Sequence, residues 1–150
     1  MTNAELPSAG LLRRLAAMVY DTLLLIALWL IATAGFLPFT GGEALRWDRT
    51  PALWLAHKAV LLALLIGFYG LFWRRQGQTL GMASWRLRVE RADGTLLDWR
   101  TTVLRIGAAL VSWAPAGLGW LWCLGPSRRT WHDAISGTRV VVLPKSSRRA

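Results

Sequence analysis

The sequence predicts an α-helical membrane protein with two full transmembrane helices, a broken or re-entrant helical hairpin and a small cytoplasmic β element. The chain of 150 residues is 54% hydrophobic, with a mean hydropathy of +0.35, yet its formal net charge is +10. Its charge is segregated: residues 15–37 contain one charged side chain, and residues 59–73 and 106–127 contain none. A single membrane domain over residues 1–150 is expected, because several spans leave no room for a second core.

The first span is predicted over Leu15–Leu37, whose 23 residues exceed the thickness of a hydrocarbon core of about 30 Å. Asp21 lies about 9 Å into it, and Arg14 precedes it by seven positions on the same helical face. An ionisable group at this depth is costly and indicates a function by default. A removable signal peptide is the less favoured interpretation, because this run is too long and contains a carboxylate.

The second span is predicted over Ala52–Trp73, between Pro51 and the pair Arg74-Arg75. The loop Pro38–Pro51 that joins the two spans contains two glycines and balanced charges, as an exposed loop does. After the second span, alternating residues around the turn sequence Ala-Asp-Gly-Thr at 92–95 predict a cytoplasmic β-hairpin over Trp85–Trp99, with strands at 86–91 and 95–99.

The third apolar segment, Thr101–Gly125, is interrupted by Pro115, Gly117 and Gly119, which break a helix. It either crosses with a kink or turns back as a re-entrant pair of half-helices. The loop 38–51 contains two Lys or Arg residues, whereas 74–105 contains seven and the tail from residue 127 contains six. The positive-inside rule therefore favours re-entry. The chain is then a multi-pass protein of the inner membrane, with both termini on the cytoplasmic side.

The last predicted elements follow Ser127, which caps a short helix through Asp133 that ends near Gly137. A strand is predicted at Thr138–Leu143 from its β-branched residues. Pairing of this strand with residues 86–90 would bring Asp133 to the inner membrane surface, near Arg14.

The composition also restricts the partners. A pI near 11.5 and ten tryptophans would suit nucleic acid, but the basic residues border apolar spans, so anionic lipid headgroups explain them and no nucleic acid is expected. The lone Cys123 excludes an internal disulfide and a multi-cysteine zinc site. No nucleophile elbow or metalloprotease motif is present, so we expect no enzymatic activity, cofactor or metal.

Three motifs around the spans resemble the RDD family of bacterial membrane proteins. They are Arg-Arg-Leu-Ala-Ala-Met-Val-Tyr-Asp at 13–21, Gly-Gln-Thr-Leu-Gly at 77–81 with the following Leu-Arg-Val and Ala-Asp-Gly, and His-Asp-Ala-Ile-Ser-Gly-Thr-Arg-Val-Val at 132–141. The resemblance implies that the arginine and two aspartates of the family correspond to Arg14, Asp21 and Asp133. It also implies a role in transport, including cation/proton antiport in some members, without identifying a substrate. Met82 departs from the pattern, because a lysine often follows Gly81 in such sequences.

Two functions of different classes remain open. In the first, the chain transports a small ligand, or exchanges cations for protons, and Asp21 ionises while Arg14 and Asp133 compete for it. In the second, it is a non-transporting scaffold or assembly protein, and the same three residues are a structural lock. Because two spans and a hairpin are few helices to enclose a path, we expect self-association or another membrane protein as partner. A loop that presents backbone N–H groups to a headgroup or ligand is a further candidate site, formed by Gly77, Gln78, Thr79 and Gly81.

Overall fold

A computed structural model describes residues 6–115 and 117–144, so the predicted lipid-attracted tail from Lys145 lies outside the described residues. The described residues form six α-helices and two β-strands. In chain order these are α1 (Leu11–Ala34), α2 (Pro51–Arg75), α3 (Leu80–Ser84), β1 (Leu87–Arg91), α4 (Trp99–Trp113), α5 (Leu118–Leu121), α6 (Trp131–Ile135) and β2 (Thr138–Val142), with 3-10 turns at Leu37–Phe39 and Trp122–Leu124.

The two long helices are apolar enough to span a membrane. The first extends through its 3-10 turn over Leu11–Phe39 and contains an 18-residue window with a mean hydropathy of 2.1, and the corresponding window of α2 has a mean hydropathy of 1.8. They run antiparallel, because Trp29 donates to the Leu61 carbonyl and Thr33 contacts His57. The start of α1 and the end of α2 therefore lie at the same end of the pair.

The third apolar segment begins at that same end. The Arg74 guanidinium at the end of α2 lies 5.1 Å from the ring centroid of Trp99, the first residue of α4. A Cβ at Gly70 would lie 2.0 Å from this ring, so glycine is needed for the approach of α4 to α2. The predicted break is present: α4 and the helical turns over Leu118–Leu124 meet at 109°. The α5 helix returns against α4, where a Cβ on Gly119 would lie 2.7 Å from the Ser112 Cα.

The sheet differs from the predicted hairpin. The β1 strand pairs antiparallel with β2, from Leu87 opposite Val142 to Arg91 opposite Thr138, which is the pairing expected for the C-terminal strand. The prediction of a second hairpin strand at 95–99 is wrong. The turn does form, but the chain then enters α4, because the Asp98 carboxylate accepts from the Thr101 N–H at 2.7 Å and caps that helix.

We call the short elements α3, β1, α6 and β2 the strand layer. This layer packs on α1 through α3 and on α4 through α6. Gly81 of α3 lies so close to α1 that a Cβ there would be 2.2 Å from the Ala17 carbonyl oxygen. The core between these elements is apolar and consists of Ala9, Ala17, Trp73, Met82, Leu87, Val89, Leu97 and Val140. This packing holds the strand layer at the end of the helix pair where α1 starts.

Candidate functional site

Three charged side chains from three helices meet where the strand layer joins the long helices. The Asp133 carboxylate of α6 pairs with Arg14 of α1 through Oδ2 and with Arg105 of α4 through Oδ1, each at 2.6 Å. Asp133 is fully buried, and each arginine is 5% exposed. We call this the Arg14–Asp133–Arg105 cluster. Two of its members, Arg14 and Asp133, are 119 residues apart in sequence.

Local structure fixes each member of the cluster. Thr130 caps α6 in a capping box: its hydroxyl accepts from the Asp133 N–H, and the Asp133 carboxylate accepts from the Thr130 N–H at 3.2 Å. The cap residue is thus Thr130 and not the predicted Ser127. Arg14 also donates to the Ala9 carbonyl at 3.0 Å and to the Arg128 carbonyl at 3.2 Å. Arg105 donates to the Thr138 hydroxyl.

The cluster has one carboxylate for two guanidinium groups, and this imbalance controls its electrostatics. Burial alone would raise the pKa of Asp133, but the positive charges of Arg105 and Arg14 hold the pKa well below its usual range. Burial, followed by repulsion from Arg105, lowers the pKa of the neighbouring His132 to about 3. His132 is therefore neutral at physiological pH.

Asp21 lies at a different contact from the one predicted. It shares the buried face of α1 with Arg14, but among the described residues no ion pair joins the two. Its carboxylate instead accepts from the Thr79 hydroxyl at 2.5 Å and from the Gly81 N–H at 2.9 Å. The prediction that Arg14, Asp21 and Asp133 meet in one cluster is therefore wrong for Asp21.

The contacts of Asp21 join it to the other predicted site, the loop from Gly77 to Gly81. Thr79 caps α3 by accepting from the Met82 N–H at 3.1 Å, and the Gln78 side chain donates to the Leu87 carbonyl at 2.7 Å. The N–H of Gly81 that was expected to meet a headgroup or ligand thus meets a carboxylate of the chain itself. This loop holds α3 against α1.

A cavity of about 250 Å³ lies beside the cluster, between the long helices and α4. Most of its lining is apolar, but it also contains two arginines, one aspartate and one histidine: Arg14, Arg105, Asp21 and His132. The apolar lining includes Met18, Leu65, Tyr69, Trp73, Ala109, Leu110, Trp113 and Trp120. The cavity therefore places polar groups from both predicted sites around one mainly apolar space.

The sequence predictions missed Arg105, His132 and the fully buried Glu90. Arg105 enters the sequence predictions only through the count of basic residues over 74–105, although its position at the border of an uncharged stretch also suits a buried ion pair. Glu90 lies opposite Arg139 in the sheet and accepts from it at 2.9 Å, and it also pairs with Arg88. The strand alternation gave no signal for this burial, because Glu90 occupies a polar position of the pattern Leu-Arg-Val-Glu, which predicts an exposed side chain. Over residues 6–115 and 117–144, no group of three metal-ligating side chains occurs.

Comparison with known proteins gives one match. A family model described as the RDD family matches residues 8–137. No curated protein and no solved structure matches the chain. The matched range includes the Arg14–Asp133–Arg105 cluster, Asp21 and the loop that binds it.

Proposed function

Because the chain belongs to the RDD family, we propose that it is an integral inner-membrane protein that binds and transports a small ligand at the cavity beside the Arg14–Asp133–Arg105 cluster. The observation that carries this proposal is the cavity itself. It lies against two helices long enough to span a membrane, and ionisable groups line an otherwise apolar wall. Such a wall, with few convergent polar groups, is typical of ligand sites.

The two sets of polar groups have separate roles in this proposal. The cluster joins α1, α4 and α6 and keeps the cavity wall in place, because a buried carboxylate between two arginines resists displacement. Asp21 is the candidate for ion coupling, since it lines the cavity. The small-ligand form is favoured over cation/proton exchange, because most of the cavity lining is apolar.

The proposed topology places both termini and the strand layer in the cytoplasm, with the α4–α5 segment re-entrant. Two contacts support re-entry. The segment starts at Trp99, next to the end of α2, and the chain that follows it reaches Arg14 at the start of α1. Both of these positions lie at one end of the helix pair. The positive-inside bias of the sequence favours the cytoplasm for that end.

A scaffold or assembly role is the second candidate, and the burial of the cluster is the observation that favours it. A transport carboxylate needs a path to water, whereas Asp133 is fully buried between its partners. In this role the exposed apolar face of α1, with Leu23, Leu30 and Ile31, would contact lipid, a second copy or another membrane protein.

Transport is tested with purified protein in liposomes that contain a pH-sensitive dye. Gradients of Na⁺, K⁺ and the permanently charged probe octanesulfonate are applied separately, and proton movement and probe uptake are measured. We expect uptake of octanesulfonate above the protein-free background, and loss of that uptake in Ala109→Phe, which fills the cavity. The matched control Ala63→Phe changes an exposed residue of α2 outside the cavity lining and should transport normally.

Asp21→Asn tests the ion-coupling role in the same liposomes. Loss of coupled proton movement, with folding retained, is expected if Asp21 carries the proton. If none of the three gradients produces movement above background, the transport proposal fails and the scaffold role is the one left.

A further inference from the structure

We propose that the ligand of the cavity is an amphiphile from the bilayer, a single acyl chain that ends in a carboxylate, with its head at Arg105 and Trp73. This inference rests on the proposed function, since it names the chemical class that the same cavity takes. Its basis is an excess of hydrogen-bond donors on one part of an apolar wall.

The unpartnered polar atoms of the cavity lining are nitrogens. Among the described residues, three lining side chains have a buried nitrogen without a hydrogen-bond partner: Nε1 of Trp73, Nε1 of Trp120 and Nδ1 of His132. An indole nitrogen is a donor only. A buried donor without an acceptor is unfavourable, so a ligand that supplies acceptors is stabilised there.

The third nitrogen belongs to His132, whose ring lies 4.7 Å from that of Trp120. Its other ring nitrogen, Nε2, lies 2.9 Å from the Thr130 hydroxyl, and the tautomer of His132 decides which of these two groups donates. The donors that chemistry fixes are therefore the two indole nitrogens.

Arg105 adds a positive charge to these donors. Its guanidinium lies 5.4 Å from the centroid of the Trp73 ring, so the charge and the indole N–H belong to one part of the wall. Arg105 contacts Asp133 and Thr138 through its two terminal nitrogens. Asp133 neutralises one of the two arginines, so the cluster carries an excess positive charge. This charge favours an anionic head at Arg105 and not at Asp21, the carboxylate that lines another part of the cavity.

The remaining wall selects an apolar chain and indicates the source of the ligand. Leu110 and Trp113 line the cavity and are 70% and 54% exposed, so the cavity opens beside them. Both belong to the stretch 106–127, which contains no charged residue. An opening on such a surface faces lipid, and the ligand therefore enters from the bilayer. A free inorganic anion would leave the apolar wall without contact.

The test uses the full chain in phosphatidylcholine nanodiscs and a dodecanoate probe with a photoreactive diazirine at the end of its chain. Crosslinks are mapped by mass spectrometry, and decanoate, decanol, decylamine, acetate and inorganic phosphate compete with the probe. We expect crosslinks in the lining of α4, with decanoate competing at a concentration about tenfold lower than decanol. Decylamine, acetate and inorganic phosphate should compete still more weakly.

Two variants distinguish binding of the carboxylate head from binding of the ligand in the cavity as a whole. Ala109→Phe should abolish the crosslinks, whereas the control Ala63→Phe should retain them. Trp73→Phe keeps an aromatic ring and removes the N–H donor together with the second ring of the indole. It should therefore weaken competition by decanoate about threefold to tenfold more than it weakens competition by decanol. This variant is preferred to a change of Arg105, which also supports the fold.

The outcomes distinguish an incorrect ligand class from an incorrect binding site. If decanol or decylamine competes as well as decanoate while Ala109→Phe still abolishes the crosslinks, the carboxylate assignment is overturned and the ligand cavity stands. If acetate or inorganic phosphate competes as well as decanoate, the ligand is a free anion and the bilayer source is overturned. If Ala109→Phe crosslinks like the native chain, the cavity is not the binding site and the proposed function fails with the inference.

Discussion

Replacement of Asp133 by asparagine is the sharpest test of the charge cluster. The substitution keeps the shape of the side chain and removes its charge, so Arg14 and Arg105 are left buried without a counter-ion. Each arginine contacts the same carboxylate at 2.6 Å. Their charges therefore lie within about 7 Å of each other and repel by about 2 kcal/mol at an effective dielectric constant of about 20.

This repulsion is present in the native protein as well, so the cost of the substitution is the loss of the two attractions that offset it. Removing one partner from a buried ion pair costs about 3–5 kcal/mol, since the remaining charge stays buried and uncompensated. For a domain of this size, about 1 kcal/mol corresponds to about 2–4 °C in the unfolding midpoint. We therefore expect Asp133→Asn to lower the midpoint by about 10 °C.

The assay is thermal unfolding of purified protein in detergent, followed by size-exclusion chromatography of the fraction that stays folded. Asp48→Asn is the matched control, because Asp48 forms an exposed ion pair with Arg46 at 2.9 Å in the loop between α1 and α2. We expect no measurable change there. Adding Arg105→Met to Asp133→Asn should restore part of the lost stability, because it removes the excess buried cation. A midpoint of Asp133→Asn equal to that of the control would refute the buried-charge argument.

Three further predictions concern packing, pH and topology. Gly81→Ala should lower stability by about 1–3 kcal/mol, because its Cβ would meet α1, whereas Gly107→Ala, with nothing within 4 Å, should not; equal unfolding midpoints would contradict this. Because folding lowers the pKa of His132 from 6.5 to about 3, the unfolded chain binds that proton first. The free energy of unfolding should then fall by about 1.4 kcal/mol for each pH unit below 6.5, and His132→Gln should flatten this slope in denaturant titrations. With the native cysteine changed to serine, Ala92→Cys should react with an impermeant maleimide only in opened cells and Ala44→Cys in intact cells; the reverse would overturn the proposed topology.

The sequence predicts the apolar helices well because burial in lipid requires long uninterrupted runs. The boundaries of α1 and α2 differ from the predicted ones by only a few residues, and the break in the third segment lies where Pro115 and its neighbouring glycines predict it. The hairpin was misassigned because a five-residue alternation after a turn is too short to separate a strand from the start of a helix. Asp98, three residues before the Thr101 N–H that it caps, was the signal for the helix.

The candidate site could be predicted only in part, because helical spacing gives the face of a residue and not its partner. Arg14 and Asp21 do share the buried face of α1, as their separation predicts. Their partners come from distant segments, however: Asp133 binds one, and Thr79 with Gly81 binds the other. Arg105 was not recognised because a basic residue at the border of an apolar span has the same sequence pattern whether it faces a headgroup or a buried carboxylate.

The separation of Asp21 from the cluster changes what each group is able to do. Arg14 donates through three different nitrogens to a carboxylate and two carbonyls, so movement of its side chain would leave several buried groups without partners. That geometry suits a side chain that keeps its position while the protein functions. Asp21 is held by one hydroxyl and one N–H, neither of which is charged, and it lines the cavity. A change of charge at Asp21 breaks no ion pair among the described residues, whereas a change at Asp133 breaks two. Of the two aspartates, Asp21 is therefore the one that the proposed transport function assigns to ion coupling, because a change of its charge leaves the buried ion pairs intact.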